Sequence, residues 1–345
     1  MPKKRPTLKD IASRLDLSIP TVSRGLAGHP DISEETQQRI LAAARELGYA
    51  VPERDARVTD GTRRLIALIL PEINMFFMPA LLTGVTRVLQ QQGYSLVLFQ
   101  TENSVLRERE IVEQCLRLAP AGVLMALSNE TTSLDHLEPL RRRNVPIALF
   151  DKTLETSRYS TLTLDDIEAG KLGAEHLLQH GHRRILGVFS DPRMRISSLR
   201  QRGFRRAHTE RMLTLDEAQF VLVRNLADLD LEYGRALEAF PDATATFVMS
   251  DELLVHTHHA LMRRGMTIPD RMSLLAISEG HAPEFLYPRV THLLHSGTQV
   301  GERMAHVMLG LIQHPSSTAI DVRIHTLVVE RGSVLTLGRP INHPD

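Results

Sequence analysis

Residues 7–24 read TLKDIASRLDLSIPTVSR, and the spacing of the apolar residues in this stretch predicts two short helices joined by a tight turn. Thr7 is the expected N-cap of the first helix, with Asp10 three residues further on in a variant of the capping box. The turn falls at residues 16–18, where Asp16 tolerates a positive φ better than most residues other than glycine. The first helix therefore buries one apolar face, formed by Leu8, Ile11, Ala12 and Leu15.

The second and third helices complete the predicted bundle. Ser18 caps the second helix, and Pro20 lies in its first turn, where the missing N–H costs little. Ser33 caps the third helix, and Gly48 ends it. The inward-facing residues are Val22 and Leu26 in the second helix and Ile40, Ala44 and Leu47 in the third.

Three short helices in this order have the helix-turn-helix layout, in which the second helix enters the major groove of DNA. Thr21 and Ser23 carry hydroxyls suited to phosphate or base contacts, and Arg24 suits a guanine or a phosphate. The alternative is a three-helix bundle without a DNA-binding role. The residues expected to face outward from the second helix are Ile19, Pro20, Thr21, Ser23 and Arg24.

Charge is distributed unevenly along the chain, although it sums to zero over all 345 residues. Residues 1–30 hold six Lys or Arg and two Asp, a net charge of +4, so the remainder of the chain carries −4. A basic end on a mildly acidic body is typical of a chain that binds a polyanion at one end only.

The motifs of residues 7–49 resemble the DNA-binding headpiece of the LacI (lactose repressor) family. The segments that carry the resemblance are TLKDIA (7–12), LSIPTVSR (17–24), HPDISEET (29–36) and LGY (47–49). The resemblance places Ile19, Pro20 and Arg24 at base-reading positions, and the first two have no side-chain donors, so they would read bases by apolar contact. We therefore predict a headpiece over residues 1–50 that, with the linker after it, contacts DNA through Thr7, Ser18, Ile19, Pro20, Thr21, Ser23, Arg24, His29, Arg57 and Val58.

Residues 51–64 are the predicted linker, where the resemblance is less complete. In the family this segment forms a short hinge helix on DNA, and a leucine from it wedges into the minor groove. Here one extra residue separates Tyr49 from Pro52, and Val58 lies one residue before the position of that leucine. Two interpretations stay open, a DNA-binding hinge that uses Arg57 and Val58 or a flexible tether between domains.

From residue 65 onward, strand and helix signals alternate. The continuous apolar run LIALIL (65–70) is typical of a buried parallel strand. Similar runs recur too often for one sheet of the usual ~5 to 6 strands, so two α/β lobes are expected. The predicted strands are 65–70, 95–99, 122–127, 146–150, 184–189, 220–223, 246–249 and 273–277.

Polar residues follow several of these strands, and ligands in such folds bind at the carboxyl ends of the strands. A carboxylate there can accept two hydroxyl hydrogen bonds at once, which suits a hydroxyl-rich ligand. The alternative for any single aspartate is the N-cap of the next helix. The residues in question are Asn74, Asp151, Asp165, Asp166, Asp191, Asp251 and Glu279.

The family resemblance extends through the large domain. It rests on NMFF (74–77), GHRRI (181–185), LRQRGF (199–204) and SDEL (250–253), and the third of these is similar to the family's Arg-x-x-Gly-Phe, whose Arg contacts the effector. It implies a periplasmic-binding-protein-like effector domain over residues 65–338. By analogy the first lobe spans about 65–160 plus 296–320, and the second about 161–292 plus 321–338. The implied effector-binding residues are Asn74, Phe76, Phe77, Asp151, Arg200, Asp251, Glu279 and His295.

Two of these positions depart from the family pattern. Glu279 stands where Asn or Asp is commoner, and His295 stands where Gln is frequent. The departures indicate either a different ligand or a regulator that works without one. Arg200 with Asp151 and Asp251 suits a sugar, a sugar acid or a similar polyol. The chain has no Trp, so ring stacking would fall to Phe76, Phe77 or Phe285.

Other classes of function have less support in the sequence. No phosphate loop, Gly-x-Gly-x-x-Gly after a strand or Gly-x-Ser-x-Gly is present, so we do not expect an enzyme or a cofactor. His256, His258 and His259 lack carboxylate partners at fixed spacing, so we interpret them as ordinary histidines and expect no metal site. Cys115 is the single cysteine, which excludes an intrachain disulfide.

A free-standing sugar-binding protein is the remaining alternative, and it would need export. The chain begins MPKKRP and then turns polar, without the apolar core of a signal peptide, so we expect a cytoplasmic protein. The sequence thus predicts a transcriptional repressor that binds a near-palindromic operator as a homodimer, under control of a small sugar-like effector and away from membranes. No apolar heptads follow residue 335, so no tetramerising coil is expected.

Overall fold

The computed structural model describes residues 6–26, 32–47, 49, 64–73, 76–154, 156–315 and 318–338. Its contacts divide the chain into two compact units, Met1–Arg64 and Leu65–Asp345. Among the helices in the described parts of the chain, none is long and apolar enough to cross a membrane. The predictions that lie outside the described residues concern His29, Gly48, Arg57, Val58, Asn74 and nearly all of the 51–64 linker.

The described part of the smaller unit holds the three predicted helices, α1 (Leu8–Leu15), α2 (Ile19–Leu26) and α3 (Glu34–Glu46). Asp16 ends α1 with φ 53°, the left-handed conformation that the sequence predicts for this turn. The carboxylate of Asp10 accepts hydrogen bonds from the backbone N–H and the hydroxyl of Thr7, at 2.6 and 2.7 Å, which forms the predicted box. The buried core consists of Ile11, Ala12, Val22, Ile40, Ala43 and Ala44.

The larger unit alternates strands and helices along most of its described length. Its strands are β1 (Leu65–Leu70), β2 (Ser95–Gln100), β3 (Gly122–Met125), β4 (Ile147–Phe150), β5 (Ser160–Leu164), β6 (Ile185–Ser190), β7 (Phe220–Val223), β8 (Ala245–Val248), β9 (Ser273–Ser278), β10 (Thr291–Leu294), β11 (Asp321–Ile324) and β12 (Leu327–Val329). Its α-helices are α4 (Phe77–Gln91), α5 (Val105–Leu118), α6 (Glu138–Arg142), α7 (Asp166–Gln179), α8 (Arg195–Thr209), α9 (Leu229–Ala239), α10 (Asp251–Arg263), α11 (His281–Phe285) and α12 (Gly297–Gln313).

These strands form two sheets, so the predicted two-lobed α/β fold is confirmed. The first sheet has the order β11-β5-β4-β3-β1-β2 and the second β12-β10-β9-β8-β6-β7 among the described strands. Every pairing is parallel except that of β10 with the edge strand β12. Because all strands of each sheet except β12 run in one direction, their carboxyl ends meet along one edge, and polar residues that follow different strands are brought together there.

Continuous apolar strands lie at the centre of both sheets. All four residues of β3, β4 and β8 are buried, as are all six of β9. Helices cover both sheets, and the apolar side chains of α4 and α12 share one buried cluster with β1 and β4 of the first sheet. This burial on both faces explains why these strands read as unbroken apolar runs in the sequence.

The chain passes between the sheets at three crossovers, which follow β5, β10 and β11. The predicted lobe limits are wrong at two of them, because residues 161–164 and 321–324 were assigned to the second lobe. Both segments belong to the first sheet, since β5 pairs with β4 and β11 pairs with β5. Both strands are hydrogen-bonded within the first sheet along their whole length, so each crossover begins after the last residue of the strand.

Candidate functional site

The outer face of α2 carries the residues predicted to read bases. Val22 and Gly25 are buried, so the opposite face of the helix is held in the core of the smaller unit. Ile19 has 45% of its surface exposed, which leaves an apolar side chain available for contact with a thymine methyl group. Thr21 is partly exposed, and the exposed members of the predicted set are Thr7, Ser18, Ile19, Pro20, Ser23 and Arg24.

Hydroxyl groups stabilise the first turn of α2. The Oγ atom of Ser18 accepts a hydrogen bond from the backbone N–H of Thr21 at 3.2 Å, and the hydroxyls of the two residues are 2.7 Å apart. Ser18 is therefore a helix cap, as predicted. The positive end of the α2 dipole lies at this exposed turn, where a DNA phosphate is favoured.

Close packing between α2 and α3 fixes the direction in which this exposed face points. A Cβ atom at Gly25 would meet Cδ1 of Ile40, so any larger residue requires the Ile40 side chain to shift. Arg14 on α1 forms an ion pair with Glu46 on α3, with 2.7 Å between their closest atoms. Arg24, in contrast, is exposed in the last turn of α2 and forms no ion pair with another described residue, so its charge is available to DNA.

A buried ion pair lies beside the first crossover of the larger unit. The Nε atom of Arg200 on α8 donates to Oδ1 of Asp166 at the start of α7, at 2.8 Å. A terminal nitrogen of the same guanidinium donates to the backbone oxygen of Met249, directly after β8. The other terminal nitrogen forms no hydrogen bond with a described residue. The structure thus anchors Arg200, 6% exposed, and leaves one of its NH₂ groups available to a ligand.

Two glycines allow α7 and α8 to approach closely enough for this pair to form. A Cβ atom at Gly170 would collide with the backbone oxygen of Arg200, and one at Gly203 would collide with that of Ile167. The glycine of the Arg-x-x-Gly-Phe motif therefore has a packing role. It brings the arginine on α8 against the first turn of α7.

Asp151 and His295 lie close enough to Arg200 for their charges to interact. Burial raises the pKa of Asp151, and Lys152 and Arg200 oppose that rise. Burial, together with the charge of Arg200, lowers the pKa of His295 to about 3. His295 is therefore a neutral imidazole at physiological pH. We call Asp151, Asp166, Arg200 and His295 the Arg200 cluster.

His295 comes directly after β10, at the second crossover. Its ring stacks on that of Phe77 at the start of α4, with 4.5 Å between ring centroids and 29° between ring planes. The side chains of Asp151 and His295 form no hydrogen bond with a described residue. The Arg200 cluster therefore combines an anchored guanidinium, a carboxylate without a hydrogen-bond partner among the described residues and a neutral imidazole. The ring of Phe77 adds an aromatic face beside it.

A second polar group lines the strand ends of the first sheet beside Asp151. Lys152 Nζ donates to the side-chain oxygen of Asn103 at 3.4 Å, and the amide nitrogen of Asn103 donates to Glu72 at 2.6 Å. Burial lowers the pKa of Lys152, and the carboxylates of Asp151 and Glu72 oppose that change. This group adds hydrogen-bonding capacity at the same edge of the sheet.

Asp251 and Glu279, both predicted effector contacts, are tied to their own lobe. Asp251 is the first residue of α10, and its carboxylate accepts hydrogen bonds from the hydroxyl of Ser278 and, at 2.9 Å, from the backbone N–H of Glu279. Burial raises the pKa of Asp251 to about 6. The Glu279 carboxylate contacts Nδ1 of His281. Asp251 thus orders the loop after β9, and Ser250 rather than Asp251 caps α10.

One contact links the two lobes near this loop. The backbone N–H of Phe76, in the first lobe, donates to the carboxylate of Glu252 on α10 at 3.3 Å. Phe76 itself is 42% exposed. The predicted residues Phe76, Phe77, Asp151, Asp251, Glu279 and His295 thus lie in segments that follow β1, β4, β8, β9 or β10, whereas Arg200 lies within α8.

Three side chains that help to build the site were not among the predicted site residues. Asp166, which anchors Arg200, was noted only as a polar residue at a strand end. Lys152 follows Asp151 directly, and Glu252 follows Asp251. The available signals were the strand-end position of Asp166 and the adjacency of the other two to predicted site residues, and neither signal shows burial or hydrogen-bond partners.

Comparison with known proteins agrees with this two-part architecture. Residues 7–52 match the family model of bacterial regulatory proteins of the lacI family, and residues 174–334 match a periplasmic binding protein-like domain. The chain is 25% identical over 335 residues to the HTH-type transcriptional repressor PurR of Vibrio cholerae. The aligned region covers 96% of this chain and 98% of the relative.

Two solved structures share the fold over almost the whole chain. A transcriptional regulator CelR–cellobiose complex superposes with a TM-score of 0.70 at 23% identity, covering 95% of this chain and 100% of that one. The lac repressor dimer bound to operator and the anti-inducer ONPF superposes with a TM-score of 0.69 at 19% identity, covering 96% of this chain and 100% of that one.

Proposed function

Because this chain belongs to the LacI family of DNA-binding transcriptional regulators, we propose that it is a repressor whose operator affinity is set by a sugar or sugar derivative bound at the Arg200 cluster. It is a regulator and not an enzyme, and it acts in the cytoplasm, where the operator lies. The Vibrio relative is named a transcriptional repressor, which supports the direction of control.

The smaller unit supplies the DNA-binding half of this function. Its α2 is packed by one face against the core and presents Ile19, Ser23 and Arg24 on the other. Arg24 is suited to guanine O6 and N7 or to a phosphate, and Ile19 to a thymine methyl group. A homodimer would present two such helices to the half-sites of a near-palindromic operator, and the related lac repressor binds its operator as a dimer. Arg57 and Val58 are proposed hinge contacts, as the resemblance implies.

One observation carries the ligand half of the proposal. Arg200 is buried and anchored, while its second NH₂ group, the carboxylate of Asp151 and the imidazole of His295 form no hydrogen bonds with described residues. A carboxylate accepts two hydroxyl hydrogen bonds, and a neutral imidazole both donates and accepts one. Phe77, stacked on His295, offers an apolar ring face. These groups suit a ring that carries several hydroxyls.

The ligand would control DNA binding through the arrangement of the lobes. Asp151 follows β4 of the first sheet, whereas Arg200 lies on α8 of the second lobe, so a ligand that contacts both favours one lobe arrangement over others. The contact between Phe76 and Glu252 also spans the lobes and depends on that arrangement. Coupling of this kind typically amounts to ~1–3 kcal/mol, which corresponds to roughly 5- to 150-fold in operator affinity.

The test has two stages. Genomic fragments that bind the purified chain at low ionic strength are selected and sequenced, and sugars, sugar acids and sugar phosphates are then screened by their effect on its thermal unfolding. We expect a near-palindromic site among the fragments and at least one sugar that shifts both the melting temperature and the affinity for that site. If the chain selects DNA fragments but no sugar shifts its melting temperature or its affinity for the site, the assignment as a regulator stands and the proposed class of effector is wrong.

A further inference from the structure

A cluster of two histidines and a glutamate lies on the second lobe, away from the Arg200 cluster. His176 is on α7, His180 follows its last turn, and Glu330 comes directly after β12. One ligand atom from each, either a ring nitrogen or a carboxylate oxygen, lies within 4.8 Å of the other two. We propose that His176, His180 and Glu330 bind a divalent transition-metal cation of the zinc class.

The ligand types and their spacing fit such a cation. Residues four apart share one face of a helix, so both imidazoles can reach the same ion. Two imidazoles and one carboxylate suit Zn²⁺ and its neighbours, whereas Ca²⁺ and Mg²⁺ prefer oxygen ligands throughout. Three protein ligands leave the fourth tetrahedral position to water.

Hydrogen bonding prepares His180 as a ligand. Its Nδ1 lies 2.8 Å from the backbone oxygen of His176, and because a carbonyl oxygen only accepts, Nδ1 must carry the proton. In the neutral tautomer that this bond selects, the lone pair of Nε2 faces away from the bond and can bind a cation. A ring N–H donated to a backbone carbonyl is the arrangement that commonly orients a metal-bound histidine.

His176 is also available as a ligand. The residue is 8% exposed, and neither ring nitrogen forms a hydrogen bond with a described residue. Its ring centroid lies 4.3 Å from that of His180. Its ring nitrogens are not sealed from solvent, so a cation can reach their lone pairs.

The neighbouring His182 is excluded from the site, because both of its ring nitrogens are already used. Nδ1 lies 2.9 Å from the hydroxyl of Thr244, and Nε2 lies 2.9 Å from the backbone oxygen of Leu335. The three proposed ligands need only a small adjustment. Ligand atoms on one tetrahedral zinc stand ~3.4 Å apart, given Zn–N distances of ~2.0–2.1 Å. The exposed side chain of Glu330 is free to rotate toward the histidines.

The position of the site suggests what a bound cation would stabilise. Strand β12 is a three-residue edge strand that pairs with β10 alone among the described strands, and it directly follows the third crossover. A cation held by Glu330 and the end of α7 would fasten this strand to the second lobe. Since binding to the folded state alone raises stability, the cation should raise the melting temperature.

The experiment titrates Zn²⁺ into the full-length, tag-free chain after treatment with EDTA, with heat of binding, Co²⁺ absorption and melting temperature as readouts. His180→Gln and Glu330→Gln each remove one ligand, and Glu330 is exposed, so its replacement leaves the fold intact. The matched control is the double variant His256→Gln/His259→Gln, which removes two exposed histidines from α10.

We expect one Zn²⁺ per chain, a tetrahedral Co²⁺ spectrum and a higher melting temperature in the native chain and the control. Affinity should fall at least about tenfold in each ligand variant. Absence of stoichiometric binding by the native chain would overturn the proposal. So would undiminished binding in both ligand variants, or binding that disappears only in the control.

Discussion

The Nε atom of Arg200 donates to Oδ1 of Asp166 at 2.8 Å, which joins α8 to the first turn of α7 just after the chain first crosses between the sheets. The two residues are 6% and 7% exposed. Burial of two charges carries a desolvation cost, so the pair is retained only where its geometry is good. Here it fixes the guanidinium that we propose as the main ligand contact.

Removal of one member of this pair should affect both stability and ligand response. Arg200→Ala leaves Asp166 as an unpaired buried carboxylate, so we expect a loss of about 3–5 kcal/mol in the free energy of unfolding. The double variant Arg200→Met/Asp166→Asn removes both charges and should recover most of that loss. Denaturant unfolding of both variants measures the difference.

The same double variant separates a ligand-binding role from a structural one. It should bind operator DNA normally and show no response to the effector, because the guanidinium is absent. If the folded double variant still responds to the effector at the concentrations that act on the native chain, Arg200 has a structural role only.

Arg24→Ala should weaken operator binding and relax sequence preference. Loss of a bidentate guanine contact costs about 1–3 kcal/mol of discrimination, or roughly 5- to 150-fold. Arg24 is exposed and unpaired among the described residues, so melting temperature and effector binding should not change. Fluorescence anisotropy with operator and scrambled duplexes measures both quantities.

The control for Arg24 is Arg39→Ala, which removes the same charge from the exposed surface of α3. It should weaken binding to both duplexes alike, through the nonspecific electrostatic attraction to phosphates, and leave their ratio unchanged. Equal loss of discrimination in the two variants would show that Arg24 does not read a base.

Gly25→Ala should change the stability of the smaller unit by no more than about 1 kcal/mol, because two effects oppose each other. Alanine is the better helix former by about 1 kcal/mol, whereas its Cβ meets Cδ1 of Ile40, the end of a flexible side chain that must rotate away. Ile40→Val removes the contacted atom, so it should cost less in the Gly25→Ala background than alone, where it costs about 0.5–1.5 kcal/mol. Hydrogen exchange in α2 and α3 measures each effect, and strictly additive effects would disprove the close approach.

Asp251 should make the folded state less stable as the pH rises. Its pKa is raised from 3.8 to about 6 by burial, so between these values the unfolded chain loses a proton that the folded chain keeps. The cost is absent below about pH 4 and complete above about pH 6, at roughly 3 kcal/mol. Asp251→Asn has no carboxylate to ionise and avoids this cost. The free energy of unfolding of this variant should therefore rise relative to that of the native chain from pH 4.5 to 7.5.

Asp191→Asn is the control for this titration. Hydrogen bonds from Arg193 lower the pKa of Asp191 to about 2, so its stabilising contribution is lost only as the pH falls below the unfolded value of 3.8. The difference between this variant and the native chain should stay constant from pH 4.5 to 7.5. A constant difference for Asp251→Asn as well would mean that Asp251 is ionised across this range.

The sequence predicted those elements of the fold that carry a strong local signal. β1 is an unbroken apolar run because helices cover both faces of its sheet, and Asp16 marks the turn before α2 because few residues adopt its φ. The lobe limits depended instead on β5 and β11. β5 reads STLTL and β11 reads DVRI, and neither has the apolar continuity of a central strand. Their membership of the first sheet is set by long-range pairing.

The site was predictable only in part, for a similar reason. Strand-end position and the family motif pointed to Asp151 and Arg200. The anchoring role of Asp166 depends on the approach of α7 to α8 at two glycines, which no local pattern reveals. The neutral state of His295 likewise comes from burial and a nearby charge, and sequence shows neither.

The most direct test of the account is operator affinity measured with and without a saturating effector for the native chain and the Arg24→Ala variant. The account predicts a change of roughly 5- to 150-fold in the native chain on addition of ligand, and specific binding by the variant that is weaker by roughly 5- to 150-fold in either state. If the native chain prefers no genomic fragment at low ionic strength, with or without ligand, the assignment as a DNA-binding regulator is contradicted.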